Sequence, residues 1–197
     1  TPYTFTYYEN DIKENDLVLV VTQSGLSTNA IEALKIIKKK ECKAICLTGN
    51  KNSDVKDVAD VVIEYGVGEE LVGYVTKGVS SLALFLDLFA IAYSGKTEYL
   101  EELKKAVHLN EEMIGKATSF IQLHYKEFSS MSWVYSCGAG ANYGTALESA
   151  LKMGETIHIP SCCYEIEEYI HGPNLQLTPQ YNVIFFDGND GASRRVE

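Results

Sequence analysis

The sequence predicts an α/β protein built on parallel strands. Three observations carry that expectation. Residues 16–21 contain the run Leu-Val-Leu-Val-Val, apolar at every position, as in a strand buried on both faces. A polar, glycine-containing turn follows, and then residues 29–40 place Ile31, Leu34 and Ile37 at helical spacing. Further short apolar runs at 43–47 and 60–64 repeat the alternation, which is the signature of βαβ units and an α/β sandwich. Hydrophobic residues make up 46% of the 197 and charged residues 22%, which supplies a real core and argues against disorder.

The pattern changes after the third strand. Residues 79–93 and 98–125 read as two long helices joined by Ser94-Gly95-Lys96. The second is amphipathic, with Leu100, Leu103, Ala106, Met113 and Ile114 expected to face inward. A strand returns at 131–136 and runs into a glycine-rich turn at 137–144, followed by a helix to about Gly154. Tyr181–Phe186 is expected as the next strand. The division expected is therefore a first lobe over 1–96, a connecting helix over 97–129 and a second α/β lobe from 130 to 197.

A net charge of −10 offers no basic stripe for nucleic acid. The densest basic run, Lys38-Lys39-Lys40, sits where a helix ends and complements its dipole. No run reaches the apolar length of a membrane span: Ser80, Ser81 and Asp87 interrupt the most apolar stretch. The start, Thr1-Pro2-Tyr3, is not a signal peptide and carries no initiator Met, so a fragment or a processed chain is expected. The five cysteines, Cys42, Cys46, Cys137, Cys162 and Cys163, are odd in number and irregularly spaced. They read as reduced thiols of a cytoplasmic protein, with Cys42 and Cys46 in the core. Cys162-Cys163 has no CxxC partner, so no metal and no cofactor are expected.

The first chemistry-bearing segment is Thr22-Gln23-Ser24-Gly25-Leu26-Ser27-Thr28, between a buried strand and a helix. Ligands bind at such carboxyl ends of parallel strands, where the helix N-terminus offers unsatisfied N–H groups. Four hydroxyls and one amide fall within seven residues, and the absence of a lysine excludes a Walker-type nucleotide loop. An uncharged cradle of this kind suits a sugar monophosphate. On the residues alone it reads equally as a polar turn in which Ser27 or Thr28 caps the helix.

The second is Glu148, Lys152 and Glu155, spaced to form one stripe on an otherwise apolar helix. Charges there need a partner or a polar cavity. A salt-bridged face is the alternative reading. His171-Gly172-Pro173 follows sixteen residues after Glu155, and a lone histidine is more often structural than catalytic.

The segment 22–28 resembles the Ser-Gln-Ser-Gly-x-Thr signature of sugar isomerase (SIS) domains. The stretch Ala146-Leu-Glu-Ser-Ala-Leu-Lys-Met-Gly-Glu155, with His171-Gly-Pro173 behind it, resembles the isomerase half of glucosamine-6-phosphate synthase and the fructosamine-6-phosphate deglycases. This resemblance implies two SIS-type three-layer α-β-α sandwich lobes with parallel sheets, both cut short in this chain. It implies that Thr22, Gln23, Ser24 and Ser27 hold the phosphate of a sugar 6-phosphate. Glu155 would be the base moving a proton between C1 and C2. His171 would assist ring opening, from a neighbouring subunit in the family, which points to a homodimer. Lys152 and Glu148 would line the site, and Thr76-Lys77 would match a segment that closes on the substrate. The chain departs from the family in lacking an opening strand with its Gly-Ser loop, a second Ser-Gln-Ser-Gly loop and a lysine near the C-terminus. Without a preceding glutaminase domain, the expectation leans to a deglycase or aldose–ketose isomerase. The alternatives are the isomerase part of a glutamine–fructose-6-phosphate aminotransferase and a non-catalytic sugar-phosphate sensor.

Overall fold

The structure is a computed structural model and describes residues 4–196; the start at Thr1-Pro2-Tyr3 and the final Glu197 lie outside the described residues. The chain divides into two compact units, one up to Ala106 and the other from Val107, with the boundary inside a long helix.

In the first unit, β1 (Leu19–Thr22), β2 (Ile45–Thr48) and β3 (Val61–Glu64) form a parallel sheet in that order. The connections are α1 (Thr28–Lys39) between β1 and β2, and a single 3-10 turn, Asp54–Asp57, between β2 and β3. Side chains alternate across a strand, and here the alternation sorts two layers. Val20 and Cys46 face Ala30, Ala33, Leu34 and Ile37 of α1. Leu19, Leu47 and Ile63 face the other way, onto Tyr65, Val67 and the helix α2 (Lys77–Ser94) through Leu82 and Phe85. Sheet and helices thus make a three-layer α-β-α arrangement. β1 is shorter than the apolar run that announced it, because Leu17 is exposed and Asp16 belongs to a turn, accepting the Lys13 N–H at 2.8 Å. Helix α1 ends on Lys38 and Lys39, as its dipole favours.

Helix α2 corrects one expectation. Beyond the 79–93 run it gains a residue or two at each end, and its serines are uncharged, so Lys77–Ser94 is long and apolar enough by length and composition to cross a membrane. Among the described residues it is the one such helix, and its Leu82 and Phe85 pack on the sheet of the first unit.

Helix α3 (Tyr99–Leu123) is as long as its periodicity suggested but buries none of its residues. Leu100 and Leu103 are half-buried, while Ala106, Met113 and Ile114 are exposed, against the inward face expected. Periodicity identifies a stripe without supplying the surface that covers it. A short α4 (Tyr125–Ser129) follows.

The second unit is a parallel sheet with the order β5-β4-β6: β4 (Trp133–Gly138) is central, between β5 (Ser161–Glu165) and β6 (Tyr181–Phe186). β5 was not anticipated; the strand following β4 is this one and not Tyr181–Phe186. Ser-Cys-Cys-Tyr-Glu has no apolar run, and all five residues are half-buried. Helix α5 (Ala141–Lys152) covers one face, where the Ser136 hydroxyl, fully buried, lies 3.0 Å from that of Ser149. On the other face Tyr135 and Cys137 pack with α6 (Ile166–Ile170) in an aromatic cluster, the Tyr135 and Tyr181 rings parallel at 5.5 Å.

Candidate functional site

The segment after β1 is tied down by its neighbours rather than by itself. The Gln23 carbonyl accepts the Gly49 N–H at 3.0 Å and the Thr48 hydroxyl at 3.4 Å, which pins the loop to the end of β2. Gly25 has φ +67°, and a Cβ there would stand 1.7 Å from the Ser53 hydroxyl, so only glycine fits. Its carbonyl accepts the Val55 N–H at 3.2 Å. Thr22 is buried at the strand end, and the Ser24 hydroxyl accepts the Leu26 N–H at 3.2 Å. Ser27 occupies the N-cap position of α1, yet its hydroxyl makes no capping bond. The capping-turn alternative is therefore not what the loop does with that residue.

Gln23 and Ser24 line a cleft of about 570 Å³, together with Gly49, Asn50, Glu70 and Tyr74. Asn50, Glu70 and Tyr74 were not singled out from the sequence. Glu70 organises one wall: it accepts from Gln23 Nε2 at 2.8 Å and from the Thr76, Lys77 and Gly78 N–H groups at 2.9, 2.6 and 3.3 Å. The Gln23 amide first, and then these backbone donors, draw its carboxyl down to about 2. Thr76 is the N-cap residue of α2, its hydroxyl turned to the Tyr74 carbonyl at 3.1 Å, and Lys77 Nζ donates to the Glu69 carbonyl. Glutamate in the glycine-rich approach to a helix was the one signal for Glu70, and it fell outside the first turn where acidic residues are usually sought.

In the second unit the Glu148, Lys152 and Glu155 stripe forms as spaced. Lys152 Nζ lies 3.5 Å from Glu148 and 2.5 Å from Glu155. The three side chains are 34%, 22% and 36% exposed, so the stripe is half-buried rather than a solvated face. Glu155 stands three residues past the end of α5, in a π-helical turn (Met153–Ile157) that ends at His158 with φ +61°. π-helical turns frequently mark functional positions. The hydrogen bond that Lys152 donates to Glu155, followed by the charge of Glu148, holds the Lys152 ammonium above the usual lysine value against the opposing effect of burial. Glu155 lines a second cleft, of about 480 Å³, with Leu151, Pro160, Ser161, Cys162 and Cys163.

His171 is placed differently. It ends α6, its side chain 78% exposed, and its ion-pair contact is Glu167 at 3.8 Å. No hydrogen bond or ion pair among the described residues joins it to Lys152 or Glu155. Glu167 is also held by the Arg195 guanidinium, which lowers its pKa. The five cysteines are free thiols, and burial pushes those of Cys46 and Cys137 up to about 11. Among the described residues no group of three or more His, Cys, Asp or Glu could hold a metal ion.

Parallel α/β layers with a hydroxyl-and-amide loop at the sheet's carboxyl end define the fold class of the phosphosugar isomerases. A provisionally assigned phosphosugar isomerase of Clostridium difficile 630 superposes with a TM-score of 0.87 at 28% identity, covering 99% of this chain and 59% of its own. Residues 4–92 match the SIS domain. Its curated relatives include glutamine–fructose-6-phosphate aminotransferases of Clostridium perfringens, 30% identical over 188 residues, and Thermotoga maritima, 29% identical over 189. Both alignments cover 91% of this chain and 31% of the relative, so the chain spans about a third of their length.

Proposed function

We propose that the chain belongs to an enzyme that binds a ketose or amino-ketose 6-phosphate and moves a proton between C1 and C2 of the sugar. The observation that carries this reading is the cleft beside Gln23 and Ser24: neutral hydroxyl and amide donors on a loop whose shape Gly25 and Ser53 dictate. Such donors suit a monophosphate, and no lysine of a nucleotide-binding loop is present.

Thr22, Gln23, Ser24 and Ser27 hold the phosphate in this reading, and Thr76 adds to that wall. Glu155 is the base, Lys152 keeps it oriented, and Glu148 shares the ammonium. Aldose–ketose exchange needs a carboxylate near the α-carbon and an acid for the ring oxygen, the latter assigned to His171. In a fructosamine-6-phosphate deglycase the same proton shift prepares the sugar–amine linkage for hydrolysis, releasing glucose 6-phosphate and an amine. The setting proposed is cytoplasmic, in keeping with the free thiols, and the assembly a homodimer. A second reading, the isomerase part of a glutamine–fructose-6-phosphate aminotransferase, is favoured by the curated relatives.

Product analysis with fructose 6-phosphate, with and without ammonia, and with fructosamine 6-phosphates separates these activities. Glu155→Gln is expected to lower turnover about 100-fold or more while leaving phosphosugar binding intact. Turnover at the wild-type rate would remove Glu155 from the role of base.

A further inference from the structure

We propose that Glu70 is a positioning residue of the phosphosugar cleft, fixing the Gln23 amide and the first turn of α2 through one carboxylate. The inference deepens the sugar-phosphate reading and rests on it. Gln23 lines the cleft, and Thr76 was expected to help close it. Neither sits in place unaided. Glu70 takes one amide proton of Gln23 and three consecutive backbone N–H groups, those of Thr76, Lys77 and Gly78.

The orientation of Gln23 follows from this. A carboxylate is acceptor-only, so the side of the Gln23 amide that faces Glu70 must be the nitrogen. Its Oε1 then turns into the protein, where it is buried without a hydrogen-bond partner. It fits there because residue 78 is glycine: a Cβ at that position would come within 2.0 Å of the oxygen. The amide keeps one N–H uncommitted for a ligand. Glu70 therefore determines that Gln23 meets the substrate as a donor, the polarity a phosphate oxygen requires. It also occupies the positive end of α2, leaving α1 as the helix N-terminus open beside the loop.

The test is a double-mutant cycle read by calorimetric titration of the full chain with fructose 6-phosphate. Glu70→Gln keeps the shape but turns one of the two accepting oxygens into an NH2 donor, so the Gln23 amide and the three backbone N–H groups can no longer all be satisfied, and we expect binding to weaken about tenfold or more. In a Gln23→Ala background the same substitution should cost clearly less, because its target is gone. In turnover, Glu70→Gln should raise KM while kcat stays within about twofold. Equal losses in both backgrounds, or wild-type affinity for Glu70→Gln, overturn the proposal. A wild-type chain with no affinity for any sugar phosphate overturns it together with the reading beneath it, whereas wild-type binding that ignores residue 70 overturns it alone. Should Glu70→Gln fail to fold, side-chain NMR of the wild-type chain decides. The Gln23 carboxamide is expected to show one bonded, exchange-protected proton, and two freely exchanging protons would overturn the assignment.

Discussion

Gly25 shows how narrowly single atoms limit the cleft. Its positive φ and the Ser53 hydroxyl, 1.7 Å from where a Cβ would stand, act together, so Gly25→Ala is strained and overpacked at once. We expect a loss of roughly 2 kcal/mol or more, read as a lower urea midpoint with an unchanged slope. A Gly25→Ala chain as stable as the parent would contradict this geometry. The reason for glycine was only half legible beforehand: a turn between strand and helix asks for one, but the partner it must avoid lies 28 residues on, across the end of β2. Glu70 illustrates the same limit. Its four partners come from residues 23 and 76–78, and no local pattern ties them together. Gln23, Ser24, Lys152 and Glu155, by contrast, were singled out as candidates from motifs whose parts are close in sequence.

Elements were legible where their burial is uniform or strictly periodic. β1 to β4 and β6 carry apolar runs, and α1 and α5 carry stripes. β5 escaped because Ser161, Cys162, Cys163 and Glu165 mix polar and apolar character, and its place beside β4 comes from pairing rather than composition. The termination of α5 in a π turn was equally hidden, since Met-Gly-Glu-Thr-Ile gives no sign of a widened turn. Packing energetics can be tested at α1, whose Leu34 is fully buried between the helix and the sheet. Leu34→Ala should destabilise the first unit by about 2–5 kcal/mol, followed by circular dichroism during denaturation. A smaller effect would mean that the layer collapses around the gap.

For the molecule entire, the α/β class with parallel sheets was readable from alternation alone, whereas the mode of assembly was not. Helix α3 leaves Val107, Met113, Ile114 and Phe120 more than half exposed, and α2 is apolar enough to satisfy a membrane span by composition. The proposed homodimer predicts that sedimentation velocity of the active protein gives twice the chain mass of 21.9 kDa. A catalytically competent monomer would count against the assembly and against a His171 shared between subunits.

The placement of β4 at the middle of its sheet has a consequence for synthesis. Trp133 pairs with Tyr181 and Val134 with Ser161, so the central strand emerges from the ribosome before either neighbour exists. Until β5 arrives both of its backbone edges stay open to unintended pairing, and one edge stays open until β6 follows. The nascent second unit is therefore exposed to aggregation for the whole interval between residues 138 and 186, a window that its late-arriving flanks alone can close.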